Sequence, residues 1–349
     1  MRTVSHLPKA AGSHPLQISE LGFGCAAVGG SVSRRHSLRA LSTAFEAGIT
    51  LYDTARSYGY GTSESILADF LIGRRDRVVV CTKFGILPAR AGGWKQRLKP
   101  AAQFALQALP QLRPALRRQA RNQIQPARFS MDGLHASLET SLRELRTDYV
   151  DILLMHAAPI STVYQEDLLQ ALERLVECGK VRVAGISGDS AVMERYFAVR
   201  PVVLTTAQFS LNPADLKLTE LARRNADLLL VANHPFGGAM GVIAARATVA
   251  RLHVSTDLPA TLREKLDPRD TQVLPELLLN CCLRGTGVSA VVAAMMREHH
   301  LRSNVQALAV CRFSESELSL LRQAWAGCPV RSSDSILCTE PEGDRQDEA

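Results

Sequence analysis

Val150-Asp151-Ile152-Leu153-Leu154-Met155-His156 is an apolar, β-rich run that closes on a polar residue. Seven more runs of this kind stand along the chain, at Leu21-Cys25, Thr50-Thr54, Arg77-Thr82, Val181-Ser187, Val202-Phe209, Leu228-Asn233 and Ser289-Ala294. Between them apolar side chains return at intervals of three and four, as in Leu38/Leu41/Ala44/Phe45, Leu134/Leu138/Leu142/Leu145 and Leu168/Leu172/Leu175/Val176, the spacing that lines one face of a helix. Strand and helix patterns in alternation predict parallel strands joined by helical crossovers. Eight such repeats predict an α/β protein of the (β/α)8 barrel type rather than an open sheet.

The 349 residues fit one barrel with insertions as well as they fit two smaller domains. We expect a single domain over residues 1–330, interrupted by an insertion at 86–130 and followed by a polar, disordered tail at 331–349. The residues before the first run, with Pro8, Gly12 and Pro15, are expected to form a hairpin or loop that closes the barrel's bottom. With 46% hydrophobic and 21% charged residues, the composition is that of a folded globular protein. No run is long enough to span a membrane, and the N-terminus has no apolar core of a secretory signal, so the expected location is cytoplasmic. The eight cysteines lack the paired spacing of a metal site or a disulfide framework; reduced thiols and no metal are expected.

Catalytic groups of such a barrel gather at the C-terminal ends of its strands. Four polar residues fall there. Asp53 ends the second run, Tyr58 follows it by five residues, Lys83 closes the third in Thr82-Lys83-Phe84-Gly85, and His156 closes the fourth. A lysine or histidine at a strand end is by itself usually a solvated loop residue. Together with Leu21-Gly22-Phe23-Gly24 and Gly185-Ile186-Ser187-Gly188, however, the four make a chain that resembles the aldo-keto reductases from about Ile18 to about Leu308. The Gly-Ile-Ser-Gly and Asn-x-Pro patterns resemble the aldose and L-galactose dehydrogenase branch.

That resemblance implies an NAD(P)-dependent oxidoreductase that moves a hydride between a nicotinamide cofactor and a carbonyl or alcohol carbon of an aldehyde, ketone or sugar lactol. Such a transfer builds negative charge on oxygen and needs a proton donor within reach. Tyr58 takes that role by resemblance. A phenol titrates near 10, and an adjacent ammonium favours its ionised form; Lys83 would supply the ammonium and Asp53 would hold it by a charge-assisted hydrogen bond. His156 would offer a neutral N–H to the substrate oxygen. For the cofactor, NADP or NAD, the resemblance points to Ser187, Gln208 and Asn304 at the carboxamide and adenine. The seventh run ends in Asn233, where the family often has an aromatic ring. The loop after the eighth run, Ala294-Met295-Met296-Arg297-Glu298-His299-His300, departs from the family's phosphate loop, leaving Arg297, His300 or Arg302 as its candidate cations.

Gly22-Phe23-Gly24-Cys25-Ala26-Ala27 also matches the G-x-G-x-x-A dinucleotide fingerprint. Its glycines fall inside an apolar strand instead of after one, which argues against a Rossmann reading. The insertion at 86–130 holds nine cations, among them Arg113, Arg117, Arg118 and Arg121, and no acid; removing nine positive charges from the net +7 leaves −2. It reads either as a solvated basic face or as a lid attracting an anionic small-molecule substrate. Few aromatics interleave with these cations, so nucleic acid is a poor partner. Two rival readings remain: a redox-neutral isomerase or lyase, and a non-catalytic nucleotide-binding regulatory subunit.

Overall fold

The computed structural model describes residues 1–6, 16–30, 32–88 and 129–326. The expected insertion lies largely outside these residues, as do Arg113, Arg117, Arg118 and Arg121 and the tail at 331–349.

The chain opens with a hairpin, β1 (Thr3–His6) against β2 (Leu16–Ser19), antiparallel. There follow β3 (Leu21–Gly24), α1 (Arg34–Glu46), β4 (Leu51–Asp53), α2 (Ser63–Leu71), β5 (Val79–Phe84), α3 (Met131–Leu145), β6 (Val150–His156), α4 (Glu166–Glu177) and β7 (Val181–Gly188). The second half continues with α5 (Ser190–Val199), β8 (Leu204–Ser210), α6 (Thr219–Arg224), β9 (Leu229–Asn233), α7 (Gly238–His253), α8 (Ala260–Glu264), α9 (Val273–Leu283), β10 (Ala290–Ala293), α10 (Glu298–Ala309) and α11 (Glu315–Ala326). Strands β3 to β10 form a closed barrel in which β10 pairs parallel with both β9 and β3. The expected (β/α)8 barrel is the fold.

Strand alternation sorts the apolar residues into two layers. Phe23, Tyr52, Val80, Leu153, Ile186, Phe209 and Leu230 face outward into a core shared with the helices. Leu51, Val79, Ile152, Leu154, Val183, Leu229, Val231 and Val292 form a separate cluster inside the barrel. Leu16 and Ile18, both fully buried, join the inner cluster, so the hairpin does close the bottom. Ser19 fastens it there, its Oγ accepting from Thr50 N at 3.0 Å.

The helices meet the barrel through the expected spacing. In α1, Ser37, Ala40, Leu41 and Ala44 are buried and Ser33 caps the start; in α4 the buried set is Leu168, Ala171, Leu172 and Leu175. A second apolar cluster, including Val249, Leu252, Leu277, Leu318 and Trp325, lies under the helices of the β9–β10 crossover and α11. Among the described residues, no helix is long and apolar enough to cross a membrane.

Strand limits differ from the sequence reading by more than one residue in two strands. The third barrel strand runs over Val79–Phe84, so Lys83 is its penultimate residue instead of closing it. The sixth begins at Leu204 and not at Val202, because Leu204 N closes a turn on Pro201 O and Val202 stands 77% exposed. Gly22 and Gly24 are both inside β3, and a Cβ on Gly22 would meet Leu51 and Val292 side chains at 2.9 Å. These glycines make room inside a barrel and do not form a phosphate-binding turn.

Candidate active site

Moving two residues up each inward-facing row changes its chemistry. Above Leu51 comes Asp53; above Val79 and Cys81, Lys83; above Ile152 and Leu154, His156; above Val183 and Gly185, Ser187; above Leu229 and Val231, Asn233. Gln208 takes the matching place on β8, level with Ser187 and Val231.

Lys83 is the centre of this group and is 1% exposed. Its Nζ donates to Asp53 Oδ1 at 2.7 Å, to Thr54 O at 2.9 Å and to Tyr58 Oη at 3.4 Å. The three donors of an ammonium are thereby all used. Asp53 Oδ1 also accepts from Gln208 Nε2 at 2.9 Å, and Ser187 Oγ donates to Gln208 Oε1 at 3.4 Å. Burial acts to lower the pKa of Lys83, but Asp53 and Tyr58 outweigh it, so the ammonium is held above its ordinary value. The thiol of Cys81 is pushed well up by burial and then by Asp53, which keeps it a neutral thiol.

Tyr58 sits in a 3-10 turn, Tyr58–Tyr60, with positive φ at Gly59, Tyr60 and Gly61. A Cβ on Gly59 would lie 2.2 Å from Val28 O, so only glycine allows the turn to press this closely on the chain after β3. Because Lys83 donates to the phenol oxygen, the phenol's own proton is left to point at another acceptor. The expected lowering of Tyr58 by Lys83 is present but is not the larger influence: burial raises the phenol above its ordinary value, Lys83 pulls it down, and the net direction is up. Tyr58 is therefore protonated near neutrality in this state.

The His156 ring stands edge-on to that of Tyr58, with centroids 5.8 Å apart and planes at 85°. Burial first, and Lys83 second, lower its pKa to about 3, so the imidazole is neutral over the physiological range. Its Nδ1 is buried without a protein partner, as is Asn233 Oδ1.

Six sequence-derived residues thus meet at one end of the barrel: Asp53, Tyr58, Lys83, His156, Ser187 and Gln208. Asn233 shares that end. Arg297, exposed, stands at the N-terminal boundary of α10 without a side-chain capping bond, and Asn304 is buried on the same helix; no hydrogen bond joins either to the Asp53–Lys83 group. The sequence reading missed Thr54, which contributes a carbonyl, and Glu64, whose signal was an acid among the apolar positions of α2.

A carboxamide brings one acceptor oxygen and an NH2 donor. The orphaned Asn233 Oδ1 and the remaining capacity of Ser187 and Gln208 fit such a group, so the residues present are compatible with a nicotinamide cofactor.

The structure is thus a closed parallel barrel with an Asp–Lys–Tyr–His group at its C-terminal end. The aldo/keto reductase family model matches residues 20–326, and the chain belongs to that family, whose members use NADP or NAD. It is 26% identical over 327 residues to the uncharacterized oxidoreductase YqkF of Bacillus subtilis, covering 89% of this chain and 94% of that one. It is 29% identical over 194 residues to aldo-keto reductase YhdN of the same organism, covering 54% of this chain and 49% of the relative. A 6-dehydroglucose reductase of Agrobacterium fabrum is 29% identical over 186 residues, 52% of this chain and 54% of the relative. The matches to YhdN and to the Agrobacterium reductase thus span only about half of those proteins. Among solved structures, aldo-keto reductase AKR11C1 from Bacillus halodurans in its holo form superposes with a TM-score of 0.65 at 23% identity, over 93% of this chain and 96% of that one; this supports the fold.

Proposed function

We propose that the protein is an NAD(P)-dependent oxidoreductase acting on an aldehyde, a ketone, a sugar lactol or the corresponding alcohol, with Tyr58 as general acid and base. The observation that carries this reading is the buried ammonium of Lys83, shared between Asp53, Thr54 O and Tyr58 Oη.

When bound, the cofactor supplies or takes up the hydride. In the reductive direction Tyr58 passes its proton to the substrate oxygen as charge develops there, and the tyrosinate left behind faces the Lys83 ammonium, which stabilises it. Asp53 keeps that ammonium from turning away. His156, neutral, presents a ring N–H to the same oxygen and orients it. In the oxidative direction the tyrosinate takes the proton back. Ser187, Gln208 and Asn233 would hold the carboxamide, and Arg297 and Asn304 the far end of the cofactor.

Stoichiometry tests the proposal: aldehydes and sugar lactols are incubated with NADPH or NADH deuterated at the transferable position. The expected result is one cofactor oxidised per alcohol formed, with the deuterium on the former carbonyl carbon. A product formed with no net change in the cofactor would instead establish a redox-neutral catalyst, and cofactor binding with no product from any carbonyl would favour a regulatory subunit.

A further inference from the structure

We propose that Glu64 is a positioning residue that sets the distance between Lys83 and Tyr58; this rests on the acid/base reading above. Glu64 belongs to the first turn of α2, outside the barrel wall, and touches neither of the two residues it positions. One carboxylate oxygen, Oε1, accepts from Thr82 Oγ1 at 2.7 Å, and the other, Oε2, accepts from Arg56 Nη1 at 2.8 Å. Thr82 precedes Lys83 on β5, its side chain pointing outward because that of Lys83 points inward. Arg56 stands two residues before Tyr58, in the turn where Tyr58 N donates to Ala55 O. A single buried carboxylate therefore spans from the neighbour of the ammonium to the loop that carries the phenol.

The same helix end makes a parallel tie. Ser63 Oγ lies 3.0 Å from Thr54 Oγ1 and donates to Cys25 O at 3.2 Å, and Thr54 is the residue whose carbonyl holds Lys83. Ser63 and Glu64 together register the ends of β3, β4 and β5 against the Tyr58 turn.

Packing alone does not ask for an acid here. The other large buried positions of α2 are Ile66, Leu67, Phe70 and Leu71, and Glu64 is 1% exposed. A buried ion pair is seldom more stabilising than an apolar replacement, because both charges must leave water. An acid placed only to complement the helix N-terminus would serve equally well in solvent. The two directed hydrogen bonds are what burial gains, and they fix a geometry in which Lys83 Nζ and Tyr58 Oη stand 3.4 Å apart.

The test uses the full chain and its cofactor. Glu64→Gln keeps the side chain's size and an acceptor for Thr82 but loses the charge that holds Arg56; Thr82→Val cuts the other arm with little change of shape. Each is made alone and in a Tyr58→Phe background. Melting temperature, cofactor dissociation constant and the pH profile of kcat are measured. With cofactor affinity within about twofold of wild type, each single variant is expected to lose on the order of tenfold in kcat. The limb of the profile assigned to Tyr58 should move upward, since Lys83 is what pulls the phenol down. In the Tyr58→Phe background neither substitution should lower the residual rate further. Equal losses in both backgrounds, or an unmoved limb, would make Glu64 structural and overturn the proposal. If Glu64→Gln does not fold, Thr82→Val decides. Wild-type turnover in Tyr58→Phe alone would instead remove the acid/base reading, an outcome distinct from additivity.

Discussion

The two ends of the barrel's interior share the same inward rows of side chains and differ in everything else. At the bottom, Leu16, Ile18, Leu51, Ile152, Leu229 and Ala290 are buried and wholly apolar. At the top, Asp53, Lys83 and Gln208 are buried as deeply and carry charge or polar groups. Backbone strain follows the same division. Of the non-glycine residues with positive φ among the described residues, Arg146 and Arg200 terminate helices, whereas Tyr60, Ala157 and His234 come within two residues of Tyr58, His156 and Asn233. One end of the barrel is built for stability and the other draws on it, holding ions and strained turns that a core would not select.

Substitutions at matched positions should separate these roles. At the top, Tyr58→Phe is expected to lower turnover by roughly 10²–10⁴ while leaving cofactor binding and melting nearly unchanged, because only proton transfer is lost. Steady-state rates and calorimetric titration measure both quantities. A mutant that turns over like wild type would abolish the contrast. At the bottom, Ile152→Ala should cost about 2–5 kcal/mol of stability in urea denaturation, through lost burial and the cavity left behind, with kcat almost unaltered. A large drop in kcat at preserved stability would show that the inner core also shapes the site.

The sequence shows this division only in part. Val150 to His156 is both the expected run and the observed strand, and alternation along it leads from Ile152 and Leu154 to His156 without any coordinates. Periodicity reports which face of an element is buried. It does not report which charges meet across elements, so the Arg56–Glu64–Thr82 bridge was invisible although all three residues were in view. At Tyr58 the sequence shows one side of the balance for a related reason: the ammonium's pull can be inferred from neighbouring strands, but the opposing burial depends on the packed structure. The lid expectation rests on the insertion at 86–130, of which residues 89–128 lie outside the described residues.

Acid should sharpen the contrast further. His156 is lowered from 6.5 to about 3, by burial first and then by Lys83. Unfolded, the ring takes up a proton below about 6.5; folded, it does so only near 3. The unfolded state thus binds more protons between those values, and the stability associated with the neutral ring, complete above 6.5, is lost as pH falls toward 3. The slope from this one group is at most about 1.4 kcal/mol per pH unit and is reduced by the partial exposure of the ring. Urea midpoints between pH 7 and 4 should therefore fall less steeply in His156→Gln than in wild type. Parallel curves would mean that other groups carry the acid sensitivity.

The smallest effect is expected beyond the barrel's rim, where resemblance places the adenosine 2′-phosphate that distinguishes NADP from NAD. The cations near the start of α10 are largely committed. Arg302 Nη2 donates to Glu298 Oε1 at 2.5 Å, and Arg39 Nη2 lies 3.7 Å from Glu298 Oε2. His300 is pushed below its ordinary value by burial and then by His299 and Arg297, which disfavours its charged form. Arg297 remains as an exposed cation whose interaction with a phosphate is screened by salt. Preference between NADPH and NADH should therefore stay under about tenfold in affinity, or about 1.4 kcal/mol, when both are titrated at physiological ionic strength. A hundredfold preference for NADPH would mean that the phosphate displaces Glu298 from its arginines. Glu298→Gln separates the cases: with Arg39 and Arg302 released, affinity for NADPH should rise by a few-fold while that for NADH stays put. An unchanged ratio would move the phosphate away from α10 altogether.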